Sequence, residues 1–571
     1  MIQENPFVNY LDQFNILSPN HSKIYDEYTH SDEGFKYELK VETKIEKYLV
    51  NIFSNQPRSI ILTGNAGDGK TRLCRTVHDN CSNEILEKWP ASGIVEITLP
   101  SGRLRIVKDL SELTDEIIER ELLQLQKCIQ FNHNEGVYYL IAANEGKLTK
   151  FLSQREDLSY LRNEVRERFK SHKNNDSIFS IHNLLDVTSS TYLEKVLEGW
   201  NDEENWKVCQ QCSLNNRCII YLNHNKTSQQ IVRERLVEQY RLVDFLDTHI
   251  TIREMLIHIS YLLTGGYTCK DIHNAKVQEL KEQGQRVYYQ NFYGHNSPSV
   301  AFSEMRAMRI FRELDPGDNS ISVIDDFIIN GDICGFEELE LLHSDLFGNG
   351  LDMQFGYLRQ QLKHYRDYSV ENNDELIEFW IKRLRRKLYF EIPNDIFKER
   401  MNMIPLQFVA DYQEMFNNDK RRMLKIKDII NGLNKAFTKR LIQNSDSLYA
   451  ANENLLISNE FQFRNKNKSS IKLIQDENRE DLDYISSKYT LIIEDEIRLP
   501  INLSMFEYLM RLSSGDLFHI LKEDVEILID TFKNELIQFS EPEVSALELF
   551  TINKETGLFA YTSIDLPEEE Y

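Results

Sequence analysis

Between residues 57 and 190, short apolar runs alternate with stretches of helical spacing, and this alternation is the chain's first organising pattern. Ser59–Leu62 predicts a strand, followed by a glycine-rich turn and a helix from Lys70. Gly93–Leu99 and Leu104–Val107 predict two further strands around the turn signal Pro100-Ser101-Gly102. Residues 111–130 carry helical periodicity, and Val137–Ala142 reads as a buried strand. Strands alternating with helices predict a parallel, three-layer α/β domain. From 191 to 450 the spacing is mostly helical, clearest over Gln229–Leu246 and Ile252–Leu263. Strand patterns return at Ile471–Ile474 and Tyr489–Ile493. Residues 503–539 read as helical, and Leu549–Ile552 and Leu558–Thr562 as candidate strands before an acidic run at Glu568–Glu570.

Composition narrows the function classes. The chain has 571 residues, of which 41% are hydrophobic and 11% aromatic, enough for several buried cores. Apolar runs such as Tyr138–Ala143 are far shorter than the ~20 residues a membrane span needs, so no membrane partner is expected. The first residues form no basic or apolar leader, which places the expected location in the cytoplasm. The formal charge of −24 argues against a general DNA-binding surface. Contact with DNA is then indirect or through a local basic patch. Lys382-Arg383-Leu384-Arg385-Arg386-Lys387 and Lys420-Arg421-Arg422 with Lys425 and Lys427 are the candidates, each also readable as a solvated helix face. No H-E-x-x-H, G-x-S-x-G or nuclease carboxylate–lysine set is visible.

The most specific signal is Gly64-Asn65-Ala66-Gly67-Asp68-Gly69-Lys70-Thr71, a full G-x-x-x-x-G-K-[ST] match between a predicted strand and a predicted helix. The glycines let the backbone wrap a phosphate, and the loop amides with the helix N-terminus supply aligned donors. Lys70 is placed to bridge the β- and γ-phosphates of ATP, Thr71 to hold Mg²⁺ through its hydroxyl, and Arg72 follows in the same helix. On this reading the fold class is an α/β P-loop NTPase, AAA+-like, with a helical lid, a mainly helical region and a smaller mixed α+β C-terminal part. The division is an N-terminal helical extension at 1–56, the NTPase core at 57–190, a lid with a cysteine knuckle at 191–290, a helical domain at 291–450 and a mixed domain at 451–571.

Such a loop needs an acidic partner for magnesium. Asp109 ends the run Arg105-Ile106-Val107-Lys108 and is the Walker B candidate, with a plain helix N-cap over Ser111 as the alternative. No glutamate follows it directly, which leaves Glu96, Glu112 and Glu145 as general-base candidates. Asn144, after Tyr139-Leu140-Ile141-Ala142-Ala143, matches the water-orienting position called sensor 1 in AAA+ ATPases, or a strand-end turn. Arg253, opening a helix in the lid, is a sensor 2 candidate. Arg162, Arg166 and Arg168 are the nearest arginine-finger candidates, each equally readable as solvated.

Cys209, Cys212 and Cys218 form C-x₂-C-x₅-C, a spacing that suits zinc. His224 and Cys269 are the fourth-ligand candidates, with Cys269 preferred; free thiols or a redox role are the alternative.

Together, the phosphate loop, Asn144-Glu145-Gly146 and the cysteine knuckle resemble the DptF (DndF) family, the ATPase subunits of DNA phosphorothioation-dependent restriction systems. Thr251-Ile252-Arg253, Thr264-Gly265-Gly266 with Cys269, Asn431-Gly432-Leu433-Asn434, and Leu499-Pro500 running into Phe506-Glu507-Tyr508-Leu509 fit the same pattern. The resemblance implies an ATP-hydrolysing subunit that works with DptG-like and DptH-like partners against DNA lacking the phosphorothioate mark; a homo-oligomer is compatible with it. The alternatives are a nucleotide switch that does not turn over, and a P-loop small-molecule kinase.

Overall fold

The structure is a computed structural model. It describes the chain apart from residues 1–3, 20, 22–42, 83, 87, 172–177, 368–375, 394–395, 397, 440–446, 451–458, 463–470, 478, 480, 517–522, 540–545, 553–558 and 566–571. The acidic run at Glu568–Glu570 and part of the expected N-terminal extension lie outside the described residues. The chain forms two units. The first comprises Met1–Val243, His249–Lys398 and Arg479–Ile485; the second comprises Asp244–Thr248, Glu399–Asn478 and Ser486–Tyr571.

The first unit is built on a five-stranded sheet of β1 (Ser59–Thr63), β2 (Ile94–Leu99), β3 (Gly102–Val107), β4 (Val137–Ala143) and β5 (Phe179–Asn183), in the order β2-β3-β4-β1-β5. Strands β3, β4, β1 and β5 run parallel, whereas β2 pairs antiparallel with β3. The expected wholly parallel sheet is thus corrected at one edge. Only Pro100 and Ser101 separate β2 from β3, and so short a link can join only antiparallel neighbours.

Both faces of β1 are buried, which explains its unbroken apolar run. On one face, Ile61, Val107, Tyr139, Ile141, Phe179 and Ile181 share a core with Leu122 and Leu125 of α4 (Asp115–Gln130), Phe151 of α5 (Glu145–Ser153) and Leu161 of α6 (Ser159–Ser171). The alternate residues Ile60, Leu62, Leu104, Ile106 and Leu140 are also buried. Two further helices, α2 (Lys44–Asn55) and α3 (Lys70–Cys81), pack together, and α3 lies against β2, β3 and β4. Helix α4 starts at Asp115 rather than 111, because Asp109 caps a separate short turn at Leu110–Glu112.

Strand β5 had no clear sequence signal, since Ser180 and His182 interrupt it. Both are fully buried, and the segment Arg479–Ile485 explains how. His182 Nδ1 meets Asp481 Oδ2 at 2.6 Å, and Arg479 bonds both Asp481 (2.9 Å) and Asp186 (2.6 Å). Burial pushes the Asp481 carboxyl up, but hydrogen bonds from His182 and Arg479 outweigh it and hold the group well below the usual carboxylate range.

The remaining helices of this unit include α7 (Ser189–Trp200), α8 (Glu203–Gln210), α9 (Ile219–Thr227), α10 (Gln230–Phe245), α11 (Ile252–Thr264) and α12 (Cys269–Asn274), together with a short α1 (Pro6–Asp12). Helix α11 begins with a capping box between Thr251 and Glu254.

The expected basic patch at 382–387 is overturned. Helix Lys382–Glu391 buries Arg383, Arg385, Arg386 and Lys387. Each finds fixed partners: Arg385 grips Asp325 through two bonds of 2.7 Å, Arg386 bonds Asp315 at 2.8 Å, and Lys387 bonds Asp352 at 2.7 Å. Arg383 donates to the carbonyls of Gly284 and Asp352. Four cations are tolerated inside because carboxylates and carbonyls surround them, and only Lys382 of the run stays exposed, paired with Asp318.

In the second unit, β8 (Ile471–Gln475), β9 (Tyr489–Ile493) and β10 (Ile497–Ile501) form an antiparallel sheet in the order β10-β9-β8, which leaves Pro500 on an edge strand. Two-stranded pairs are formed by β6 (Ser447–Ala450) with β7 (Asn459–Gln462), and by β11 (Ala546–Ile552) with β12 (Phe559–Asp565). Helices Asp419–Thr438 and Leu503–Ser514 approach so closely that a Cβ on Gly432 would stand 2.3 Å from the Leu509 carbonyl oxygen. Among the described residues, no helix is long and apolar enough to cross a membrane.

Burial pushes the Asp315 carboxyl up, but hydrogen bonds from His295 and the Arg386 guanidinium outweigh it and bring it down to about 2. A carboxyl depressed in the folded state stabilises the fold above its unfolded value near 4, and that contribution fades as pH falls through about 2. Asp315→Asn should therefore cost about 3 kcal/mol at neutral pH by leaving Arg386 unpaired. In urea melts the gap from the parent protein should narrow as pH is lowered from 5 to 3. A gap that stays constant over that range would contradict the assignment.

Candidate functional site

Strand β1 ends at Thr63, and the chain turns through Gly64–Gly69 into α3. Gly64, Gly67 and Gly69 hold φ of +150°, +101° and +83°. At Gly67 a side chain has neither conformation nor room: its Cβ would stand 3.0 Å from Arg253 Cβ and 3.1 Å from Thr251 Oγ1. Asp68, almost wholly buried, braces the loop by accepting the Asn65 amide at 2.6 Å and meeting His249 Nε2 at 2.7 Å. Ala66 lies exposed at the tip.

Lys70 is the first residue of α3, and its ammonium donates back to the carbonyls of Gly64 (2.8 Å) and Asn65 (2.7 Å). Burial lowers its pKa, while Asp68 and Asp109 pull it up and Arg253 pushes it further down. Both Asp109 and Arg253 therefore act electrostatically on the lysine. No side chain caps the N-terminus of α3, so its first-turn donors point out of the helix uncapped. Thr71 sits half-buried in that turn and Arg72 is exposed beside it.

The carboxyl ends of β4 and β5 flank this loop. Thr63 is level with Ala143 on β4 and with Asn183 on β5. Its hydroxyl is buried and finds no hydrogen-bond partner among the described residues. Asn144 caps α5, accepting the Lys147 amide at 3.2 Å. Asp109, two residues past Val107 on β3, accepts the Ser111 amide at 2.7 Å through one carboxylate oxygen. The capping alternative foreseen for Asp109 is therefore present, and Asn144 also acts as a helix cap rather than forming the turn foreseen for it.

Of the three general-base candidates, Glu112 is paired with Lys108 (2.7 Å), and Glu96 lies on edge strand β2 beside Arg103 and Arg105. Glu145 alone stands at the end of a strand adjoining β1, with Asn183 Nδ2 3.5 Å from its carboxylate. Burial, and then the charge of Asp186, raise its pKa. Arg168 is committed elsewhere, donating to the Phe179 carbonyl and Glu164. Arg253 lies beside the loop, its backbone amide donating to the Gly67 carbonyl at 3.2 Å.

A cleft opens beside the loop. Ile45, Leu73, Leu184, Val187, Ile250 and Ile252 form apolar walls, and Asp68, Arg72, Tyr192 and His249 edge it. These residues come from four separate stretches of chain, so no local pattern marks them. Asp483 supports the rim, accepting the Lys44 amide at the start of α2 (2.7 Å) and the Tyr192 hydroxyl (3.4 Å).

Elsewhere in this unit, Cys209, Cys212, Cys218 and Cys269 line one pocket together with His273. His224 is not part of it. Its ring stacks on Trp206 at 4.2 Å, its Nδ1 meets Asn201, and burial lowers its pKa to about 4. Among the described residues, no group of three or more His, Cys, Asp or Glu side chains is gathered tightly enough to hold a metal ion as it stands. The second basic stretch is exposed but largely paired, Arg421 with Glu414, Arg422 with Asp419, and Lys425 with Asp411.

Compared with protein-family models, curated proteins and solved structures, the chain matches none.

Gly67→Ala should destabilise the protein by about 1–3 kcal/mol, from forced positive φ and the close Arg253 contact. Gly146→Ala, in the first turn of α5 without positive φ, should leave stability level or slightly raised. Equal urea midpoints for both variants would refute the strain argument.

Proposed function

We propose that this protein is a magnesium-dependent nucleoside triphosphatase acting on ATP, with its phosphate site at Gly64–Thr71. The observation that carries the reading is the uncapped N-terminus of α3 joined to a positive-φ glycine loop and a buried Lys70 ammonium held on loop carbonyls. A triphosphate offers stronger, charged acceptors to the same donors, so binding exchanges two carbonyl bonds of Lys70 for phosphate bonds. The apolar cleft beside Gly69 and Leu73 suits the base and ribose.

The donor set also fits magnesium. Thr71 supplies a hydroxyl oxygen and Asp109 keeps one carboxylate oxygen beyond its bond to Ser111, both hard ligands. Bound there, the ion would neutralise charge on the β- and γ-phosphates. Asn144 orients the attacking water. Glu145 takes its proton as the water oxygen bonds to the γ-phosphorus and the bond to the β–γ bridging oxygen breaks, giving ADP and phosphate. A raised Glu145 pKa suits a base that must accept a proton near neutrality. Arg253 offsets charge on the γ-phosphate from the start of α11.

On the resemblance alone, we extend the proposal to an ATPase subunit of a DNA-restriction complex with DptG-like and DptH-like partners. With helix Lys382–Glu391 buried, DNA contact falls to those partners in this reading.

Lys70→Ala should abolish ATP binding by calorimetry. Glu145→Gln should keep binding but lower phosphate release by about 100-fold or more. DNA added with the partner subunits should raise turnover, whereas a metabolite kinase would not respond. Full ATPase activity in Lys70→Ala would refute the site. Binding without turnover in the parent protein would favour the non-hydrolysing switch.

A further inference from the structure

The cysteine pocket stands apart from the phosphate loop, and its chemistry can be argued independently. Its four sulfurs come from three places: Cys209 in the last turn of α8 with Cys212 just beyond it, Cys218 at the N-cap of α9, and Cys269 as the first residue of α12. We propose that this pocket binds one Zn²⁺ through the thiolates of Cys209, Cys212, Cys218 and Cys269, and that the ion fastens α8, α9 and α12 to one another and to the N-terminal helix α1.

The hydrogen bonds around the sulfurs would support thiolates once a bound metal displaces their protons. Asn5, the N-cap of α1, donates its side-chain amide to Cys209 Sγ (3.2 Å) and its backbone amide to Cys269 Sγ (3.4 Å). His273 Nε2 lies 3.6 Å from Cys212 Sγ. Three of the four sulfurs thus have an N–H or imidazole partner, supplied by Asn5 and His273. Neutral thiols are weak acceptors and gain little from such a shell. Four thiolates on one zinc carry a net double negative charge, which these donors would offset.

Asn5 is itself fixed. Its Oδ1 accepts the Phe7 amide at 2.9 Å and its Nδ2 also donates to the Asn205 carbonyl at 2.9 Å. It therefore orients two ligands at once. The C-x₂-C turn is the usual geometry by which adjacent thiolates share a tetrahedral ion, and closing the set needs the side chains to turn inward toward the pocket they already line. His273 is the competing ligand. Tetrahedral bonds of about 2.3 Å to sulfur and about 2.0 Å to nitrogen separate the two donors by about 3.6 Å, so the Cys212–His273 spacing alone fits either a hydrogen bond or shared coordination. Cys218 decides between them: it lines the same pocket from the N-cap of α9, so four sulfurs are at hand without the imidazole.

The test uses the full chain expressed with zinc and desalted before elemental analysis. One zinc per chain is expected, and cobalt substitution should give the strong visible bands of a tetrathiolate. His273→Ala should retain the metal and the cobalt spectrum. Asn5→Ala should retain the metal but lose it to a chelator about 10-fold faster or more. Cys218→Ser should lower metal content; should that variant misfold, the parent stoichiometry and the His273→Ala spectrum still decide. Less than about one-tenth zinc per chain, with all four thiols freely alkylated, would overturn the site. Metal lost or a cobalt spectrum shifted in His273→Ala would overturn the four-thiolate assignment. Neither outcome bears on the nucleotide reading.

Discussion

Everything about the proposed phosphate site depends on one backbone constraint: a strand buried on both faces must turn into a helix within six residues, Gly64–Gly69. Three glycines with positive φ make the turn, and Asp68 locks it from below by accepting the Asn65 amide. The turn leaves the N-terminus of α3 uncapped and places Lys70 over the loop's own carbonyls. A local conformational demand thereby becomes a concentration of positive potential at the sheet's carboxyl edge, where open α/β sheets characteristically bind ligands.

Around that loop the chain assembles support from distant positions. The Gly67 carbonyl accepts the Arg253 amide at the start of α11, and Asp68 meets His249. The segment Arg479–Ile485, lying in sequence between β8 and β9, belongs to the first unit and bonds β5 and its following turn. Arg479 pairs with Asp186, whose charge raises the Glu145 pKa, and Asp483 fixes the start of α2 and Tyr192 at the cleft. The surroundings of the proposed base and of the cleft thus depend on residues nearly 300 positions away in sequence.

Much of this was legible in the sequence where a single local pattern carries the information. The glycine turn Gly64–Gly69, β1, β4 and the β2–β3 turn follow from glycine placement and apolar runs, and the structure places these elements as read. Strand β5 escaped because Ser180 and His182 alternate with its core residues Phe179 and Ile181, and His182 is accommodated by Asp481. The run at 382–387 misled because composition does not reveal burial; its carboxylate partners Asp315, Asp325 and Asp352 lie 35 or more residues away. The cleft was invisible for the same reason. Asp109 and Asn144 were correctly placed at strand ends, yet each also makes the capping bond that its residue type favours there.

The most direct test of the central claim is a crystal structure of the full chain with a non-hydrolysable ATP analogue and magnesium. The account predicts Lys70 Nζ moved from the Gly64 and Asn65 carbonyls onto phosphate oxygens, with the base seated between Ile45, Val187 and Ile252. Nucleotide bound elsewhere, or bound here with the Lys70 ammonium still on those carbonyls, would contradict it.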